Sequence, residues 1–326
     1  MKTKSNFLRK LSIQNLLMVS FLSVFFLSCE KEENIVVAPA PAKSGDIIEV
    51  LKNQQITEDE DGALKSSLSR RNATFNTLIT ALKATGLDKV VTSSELTVFA
   101  PTDAAFEALG LNSSNIASVP GLSDILLYHV VGGKVYSYQL QPGFVPTVNG
   151  AAVEIKFDGR KPWVNNASIT AKNIEAYNGV VHVINQVLLP PTKDVVDLAI
   201  SFAPEFTTLV DAVVQAGLVD VLKGEGPFTI FAPTNQAFAD LGIDLSTLTK
   251  EQLTSILLYH VVPGRVFSSD LSTGPVSSLN GSFYVDPSDL SIKDNGSDEK
   301  AFLIPTLLNV QGTNGVIHVI DKALLP

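Results

Sequence analysis

Cysteine is almost missing from this chain: 326 residues hold one, Cys29. A single thiol closes no internal disulfide, so any fold has to come from burial alone. Histidine is scarce as well, limited to His129, His182, His260 and His318. Positive charge is short: 24 Lys and Arg stand against 33 Asp and Glu, a formal net charge of −9. Residues 1–28 carry Lys2, Lys4, Arg9 and Lys10 and no acid, so the rest has 20 bases against 33 acids, or −13. A surface of that sign repels nucleic acid unless a basic patch is concentrated somewhere. The sequence has no such patch, and no nucleic-acid partner is expected.

Catalytic signatures are missing too. There is no His-Glu-x-x-His zinc motif, no phosphate-cradling glycine loop and no Gly-x-Ser-x-Gly elbow. Gly133-Lys134 lacks the upstream glycine of such a loop, because position 128 is tyrosine. A Ser/His/Asp triad assembles in space and is not excluded by spacing. The four histidines, however, sit in apolar settings. The chain reads as no enzyme, with no cofactor and no metal site.

What is present is a repetition. Thr97-Val-Phe-Ala-Pro-Thr-Asp-Ala-Ala-Phe106 returns as Thr229-Ile-Phe-Ala-Pro-Thr-Asn-Gln-Ala-Phe238. Ile125-Leu-Leu-Tyr-His-Val-Val131 returns as Ile256-Leu-Leu-Tyr-His-Val-Val262, and Gly179-Val-Val-His-Val-Ile184 as Gly315-Val-Ile-His-Val-Ile320. The offsets are 132, 131 and 136 residues, too long for a solenoid unit. A whole domain is duplicated, as the length also suggests. The histidines fall into two matched pairs, which argues for a role in each copy's architecture. Each copy is large enough to bury a core without disulfide or metal.

Residues 1–28 read as a secretory signal, with a basic start and an apolar stretch from Leu16 to Leu27 too short to span a bilayer comfortably. Ending in Phe26-Leu-Ser-Cys29, it resembles a bacterial lipoprotein signal whose cysteine is lipidated. Residues 29–44 are then a tether. Lys31, Glu32 and Glu33 resemble the export tag of Bacteroidota surface lipoproteins; the plainer reading is a solvated linker. Ala38-Pro-Ala-Pro-Ala42 is an extended spacer. The expected location is the outer membrane, with the protein displayed on the cell surface.

The two copies are assigned to 45–190 and 191–326. Asp46 to Leu51 starts a short helix, matched by 195–199. Between 54 and 71 copy one carries an extra polar segment containing Glu58-Asp-Glu-Asp-Gly62, whose spacing is wrong for a calcium loop. Apolar residues at 75, 78, 79 and 82 have helical spacing, ended by Gly86. Thr97-Val-Phe-Ala100 is a buried strand. Thr102 then caps a helix with Phe106 and Leu109 facing inward. Thr249-Lys-Glu-Gln252 is a capping box. After Tyr-His-Val-Val the pattern turns to short valine-rich runs broken by Asn149-Gly150, Asp158-Gly159 and Asn280-Gly281, the dipeptides of tight hairpins. Each copy is helices first, then a mostly antiparallel sheet, so the class is α+β. Copy two follows Pro190-Pro191 directly, and a stiff tandem is expected. Asp286, Asp289, Asp294, Asp298 and Glu299 read as a solvated loop rather than a cation site.

The three ordered blocks resemble the fasciclin domain in both copies: Thr-x-Phe-Ala-Pro-Thr-Asp/Asn-x-Ala-Phe, the central Tyr-His, and Asn-Gly-Val-x-His-Val-Ile closing toward Leu-Leu-Pro. The resemblance implies a wedge of about seven strands with a packed helical layer. It implies extracellular adhesion to polysaccharide, matrix or a cell-surface protein, without catalysis. The alternative it allows is a carrier of an apolar molecule, carotenoid-like or lipid, in a groove between helices and sheet. It makes Tyr128, His129, Tyr259 and His260 candidate binding residues. Against that stands a structural reading: histidines in apolar strands bond backbone carbonyls, and core tyrosines place their hydroxyls on a partner.

Overall fold

The computed structural model describes residues 45–53, 73–243 and 245–326. The leader, Cys29, the tether with Lys31, Glu32 and Glu33, and the acidic stretch 58–62 lie outside the described residues. Among the described residues, no helix is long and apolar enough to cross a membrane.

Copy one has helices α1 (Ile47–Asn53), α2 (Asn76–Thr85), α3 (Asp88–Ser93), α4 (Asp103–Glu107) and α5 (Leu122–Tyr128). Its strands are β1 (Leu96–Pro101), β2 (Val130–Gly132), β3 (Gly143–Pro146), β4 (Ala152–Asp158), β5 (Lys161–Val164), β6 (Ala167–Ala176) and β7 (Gly179–Ile184). They form one sheet, in the order β2-β1-β7-β6-β5-β4-β3. The β1–β7 pair is parallel and its neighbours are antiparallel. Both central strands are buried at every residue. The pleat sends alternate side chains to opposite faces. Val98, Ala100, Val181 and Val183 therefore join Leu78, Leu82 and Phe106 under the helices, while Phe99 and Ile184 join Val153 and Val164 on the far side.

Local chemistry explains the element ends. Gly86, at φ 71°, closes α2 in the left-handed conformation. The Thr102 hydroxyl accepts the Ala105 amide at 3.2 Å and starts α4. Leu109 does not face inward: α4 stops at Glu107, and the side chain is 48 % exposed in the turn that follows. Asn178-Gly179 is not a hairpin turn alone. A Cβ on Gly179 would stand 2.2 Å from the Leu96 carbonyl oxygen, so only glycine lets β7 approach β1 there.

Copy two repeats the layers with α6 (Val195–Ser201), α7 (Thr207–Ala216), α8 (Val219–Leu222), α9 (Asn235–Ala239) and α10 (Lys250–Tyr259). The Thr249 capping box opens α10, with Gln252 answering the Thr249 amide. Its strands are β8 (Phe228–Pro233), β9 (Val261–Pro263), β10 (Gly274–Ser278), β11 (Gly281–Asp286), β12 (Ser291–Lys293), β13 (Ala301–Phe302), β14 (Val310–Gly312) and β15 (Gly315–Ile320). These divide into two four-stranded sheets, β14-β15-β8-β9 and β10-β11-β12-β13, touching through the Leu303–Ile320 bridge.

The copies meet directly. Phe267 stacks on Phe144 with ring centroids 4.0 Å apart. The Gln311 amide bonds both the N–H and the carbonyl of Ala152, at 3.0 and 2.9 Å. Ala152, Phe267 and Val316 form a small buried cluster with Phe144 against them.

Candidate functional site

The tyrosine–histidine pairs end α5 and α10. The structure places them inside: Tyr128 is 3 %, His129 1 %, Tyr259 1 % and His260 2 % exposed. The Leu188 amide donates to His129 Nε2 at 2.9 Å. The ring proton is therefore on Nδ1, which donates to the Ile125 carbonyl at 2.7 Å. His260 does the same between Leu324 and Ile256. Each imidazole thus ties the last turn of a helix to the segment after the closing strand. Burial pushes both rings down to about 4, against the opposing hydrogen bonds to Ile125 and Ile256. The Tyr128 hydroxyl donates to the Ala152 carbonyl and that of Tyr259 to Ser282.

The second histidine pair forms another node. His182 Nε2 donates to the Val135 carbonyl at 2.9 Å, and its Nδ1 accepts from the Asn173 amide. Asn173 in turn bonds Ser137 through both amide atoms. His318, Val266, Asn309 and Ser268 reproduce the set. Thr97 and Thr229 each bridge the same loop from the strand side. The sequence does carry a signal for them: Thr97 and Thr229 open a repeat block, and Asn173 and Asn309 each stand five residues before the matched Asn178 and Asn314. With both ring nitrogens engaged, none of the four histidines offers a free base to a nucleophile.

Two concave features and one convex one stand out among the described residues. A cleft of about 710 Å³ opens where the copies meet, a size that suits a drug-sized ligand. Its walls include Glu154, Lys156 and Asn165 from copy one and Asn309 and Gln311 from copy two, and Tyr128 reaches it. Most of this polar equipment is already occupied. Asn165 serves the Glu154 amide and Tyr128 hydroxyl, Gln311 serves Ala152, and Lys156 pairs with Glu154 at 2.7 Å. A second cavity, about 180 Å³ and apolar, lies between helices and sheet in copy two and touches His260. The convex feature is on copy one. Tyr136 and Tyr138 stack with centroids 5.4 Å apart, and Tyr138 is 74 % exposed. The matching residues of copy two are Phe267, used up in the joint, and Ser269.

The acids suggested for a loop in copy two do not converge. Asp286 is held by Ser288, Asp289 by Lys300, Asp294 by the amides of Ser297 and Leu325, and Glu299 by Lys322. Among the described residues no cluster of three or more His, Cys, Asp or Glu side chains is arranged to hold a metal.

Comparison with known proteins agrees with the repetition. The family model described as the fasciclin domain matches residues 73–190 and 204–326. Protein sll1483 of Synechocystis sp. is 46 % identical over 127 residues, 37 % of this chain and 67 % of that protein. Human periostin is 30 % identical over 260 residues, which cover 75 % of this chain and 28 % of periostin, so the chain spans under a third of that relative. Among solved structures, a FAS1 domain pair from the insect cell adhesion molecule fasciclin I aligns at 20 % identity and a TM-score of 0.37, covering 77 % of this chain and 97 % of that one.

Proposed function

The chain belongs to the fasciclin family, as two tandem α+β domains, and from that premise we propose that it is a surface-anchored, non-catalytic adhesion module that grips an extracellular polysaccharide. The observation that carries this reading is the stacked tyrosine pair on copy one, a half-buried Tyr136 backing a Tyr138 that is held out into solvent. Tyrosine joins a large apolar face to a polar tip, the combination that favours contact surfaces that must stay wet. A sugar ring presents an apolar C–H face and a polar rim and matches both parts. Glu175, the electrostatic neighbour of Tyr136, adds an acceptor for hydroxyls. Matrix or partner-protein recognition by the same rim is the neighbouring outcome of the test.

Anchoring is part of the proposal. Cys29 carries the lipid, Lys31, Glu32 and Glu33 direct export, and residues 29–44 hold the pair off the membrane. Changing Cys29→Ala is expected to release the protein from the membrane fraction; retention after a carbonate wash would end that part of the reading. For the grip, a panel of polysaccharides and extracellular proteins is titrated against the chain and against Tyr136→Ala/Tyr138→Ala. The double variant is expected to lose at least tenfold in polysaccharide affinity with its melting temperature kept. Unchanged affinity would remove the tyrosine pair from the site, and binding confined to proteins would replace the glycan.

The rival reading, a carrier of an apolar molecule, has its own observation in the 180 Å³ cavity of copy two. Volume decides how much of it survives. An apolar cavity near 150 Å³ takes benzene, and this one, at about 180 Å³, is sized for a compact guest and would enclose part of a carotenoid or acyl chain.

A further inference from the structure

The helical face of copy two differs from that of copy one in a way the sequence spells out position by position. The matched asparagines fix the alignment: Asn178 Oδ1 accepts the Ile47 amide, and Asn314 Oδ1 accepts the Val195 amide. Ile47, Ile48 and Leu51 of copy one are thus Val195, Val196 and Ala199 in copy two, and Leu82 is Val213. Val91, Val98 and Val181 grow to Leu222, Ile230 and Ile317, which returns three carbons against the six removed at the four positions above; Leu51 to Ala199 alone takes away three. Interiors are close-packed, so deleted methylenes leave space unless the backbone collapses. Here the space is the apolar cavity beneath α6 and α7.

Its mouth has changed as well. Ile200 and Val214, at the cavity rim, are 50 % and 60 % exposed. Their counterparts in copy one are Lys52 and Lys83. At two positions, then, a solvated lysine has given way to an exposed branched aliphatic beside an opening into an apolar hole. The Lys223 ammonium, clamped by Asp197 at 2.6 Å and Asp194 at 3.3 Å, stands at the same rim. A single exposed aliphatic is ordinary, but here two stand at one opening where copy one has two charges, and together they give the mouth an apolar edge.

We propose that copy two, and not copy one, carries a binding site for a compact apolar molecule of about benzene to indole size, entering between Ile200 and Val214 and resting on Ala199. The site is separate from the tyrosine rim, and the polysaccharide reading neither requires it nor suffers if it fails. Apart from the Asp197–Lys223 pair at the mouth, the walls are hydrocarbon, and the one polar ring they include, His260, has both nitrogens engaged. Shape and size therefore select the ligand, and a long chain would be enclosed only in part.

Toluene and xenon are the probes, used on the full chain with ¹²⁹Xe and ligand-observed NMR and with thermal melts. One saturable site is expected, with a melting temperature that rises as toluene is added. Ala199→Leu, which restores the side chain of copy one, is expected to weaken toluene at least tenfold and leave polysaccharide binding untouched. If that variant folds poorly, Val195→Ile/Val196→Ile fills the same space from the preceding turn of α6 and should also weaken it. Absence of saturable binding would overturn the site. So would toluene binding that survives both fillings, and hexadecanoate displacing toluene from the same site would overturn the size assignment.

Discussion

Copy one carries an unbroken seven-stranded sheet, while copy two spreads the same path over two sheets of four. The difference lies in one segment. From Ile169 to Asn173, β6 passes through two register shifts yet remains a strand. Copy two runs from Leu303 to Asn309, two residues longer, and places Pro305 in between. Proline gives the ladder no donor, and Pro305–Leu307 becomes a 3₁₀ turn. On either side the nodes are unchanged: Asn173 and Asn309 both stand at positive φ and bond the same serine and histidine. What defines this fold is the set of polar ties between helix ends, loop and closing strand, and strand continuity is the part that drifts.

Acid should treat the copies alike, because the ties are alike. His129 and His260 have a folded pKa of about 4 against an ordinary value of 6.5. The unfolded chain binds the proton first, so stability is fully present above pH 6.5 and drains as pH falls toward 4. At about 1.4 kcal/mol per pKa unit this amounts to roughly 3 kcal/mol per histidine. Urea unfolding across pH 7 to 4 should show both copies losing stability together. A flat profile in one copy would break the equivalence.

The helical layers should respond in opposite ways. Leu51→Ala in copy one removes a side chain 3 % exposed and is expected to cost about 2–4 kcal/mol. The reciprocal Ala199→Leu should raise the stability of copy two by about 1 kcal/mol, because it fills space already present. Calorimetry on both variants checks the pair. If Ala199→Leu destabilises, the cavity is shaped to exclude leucine and the residue-by-residue account of it fails.

The repeat blocks made the layers legible, since the apolar periodicity, the Thr102 and Thr249 caps and the Asn-Gly and Asp-Gly turns are local signals that the structure reproduces. Leu109 was misread because helical spacing was continued past the point where α4 ends. The candidate site was less open to reading. Tyr128 and His129 stand out as a motif, but a motif does not reveal burial, and the Tyr136–Tyr138 pair falls where the repeat changes, to Phe267 and Ser269, so the repetition does not single it out. The cavity of copy two depends on small size differences at aligned positions, and these acquire meaning once the two copies are superposed on their asparagine nodes.

The joint gives a smaller effect. Gln311→Ala removes two hydrogen bonds to Ala152 and leaves the Phe144–Phe267 stack in place. The expected loss is about 1–2 kcal/mol, appearing as weaker coupling: a shared thermal transition should separate toward two. An unchanged melt would mean that the aromatic stack holds the tandem by itself, and Phe267→Ala would then become the decisive variant.

The smallest contrast is one of charge at the start of the second helix. In copy one Asp103 accepts from the Thr77 amide at 2.8 Å and from the Asn76 amide and side chain at 3.2 and 3.0 Å. In copy two Asn235 takes the place, accepting from the Thr208 amide and donating to the Pro204 carbonyl and the Thr207 hydroxyl. Burial by itself raises the Asp103 pKa, but hydrogen bonds from Thr74, Thr77 and Asn76 outweigh it and hold it below the ordinary carboxylate value. A lowered folded pKa means stability present above the unfolded value and lost as pH falls through the folded one. Copy one should therefore carry an acid-sensitive increment near and below pH 4 that copy two lacks. The carboxyl is only partly buried, so screening keeps the increment small. Asp103→Asn imports the arrangement of copy two. Asn76 can turn its amide to accept the new donor, while its own N–H passes to water, so the cost at neutral pH should stay near 0.5–1 kcal/mol. Below pH 4 the variant and the parent should converge. If they stay apart by the same margin at both pH values, the charge of Asp103 plays no part, and the two copies differ at this cap in shape alone.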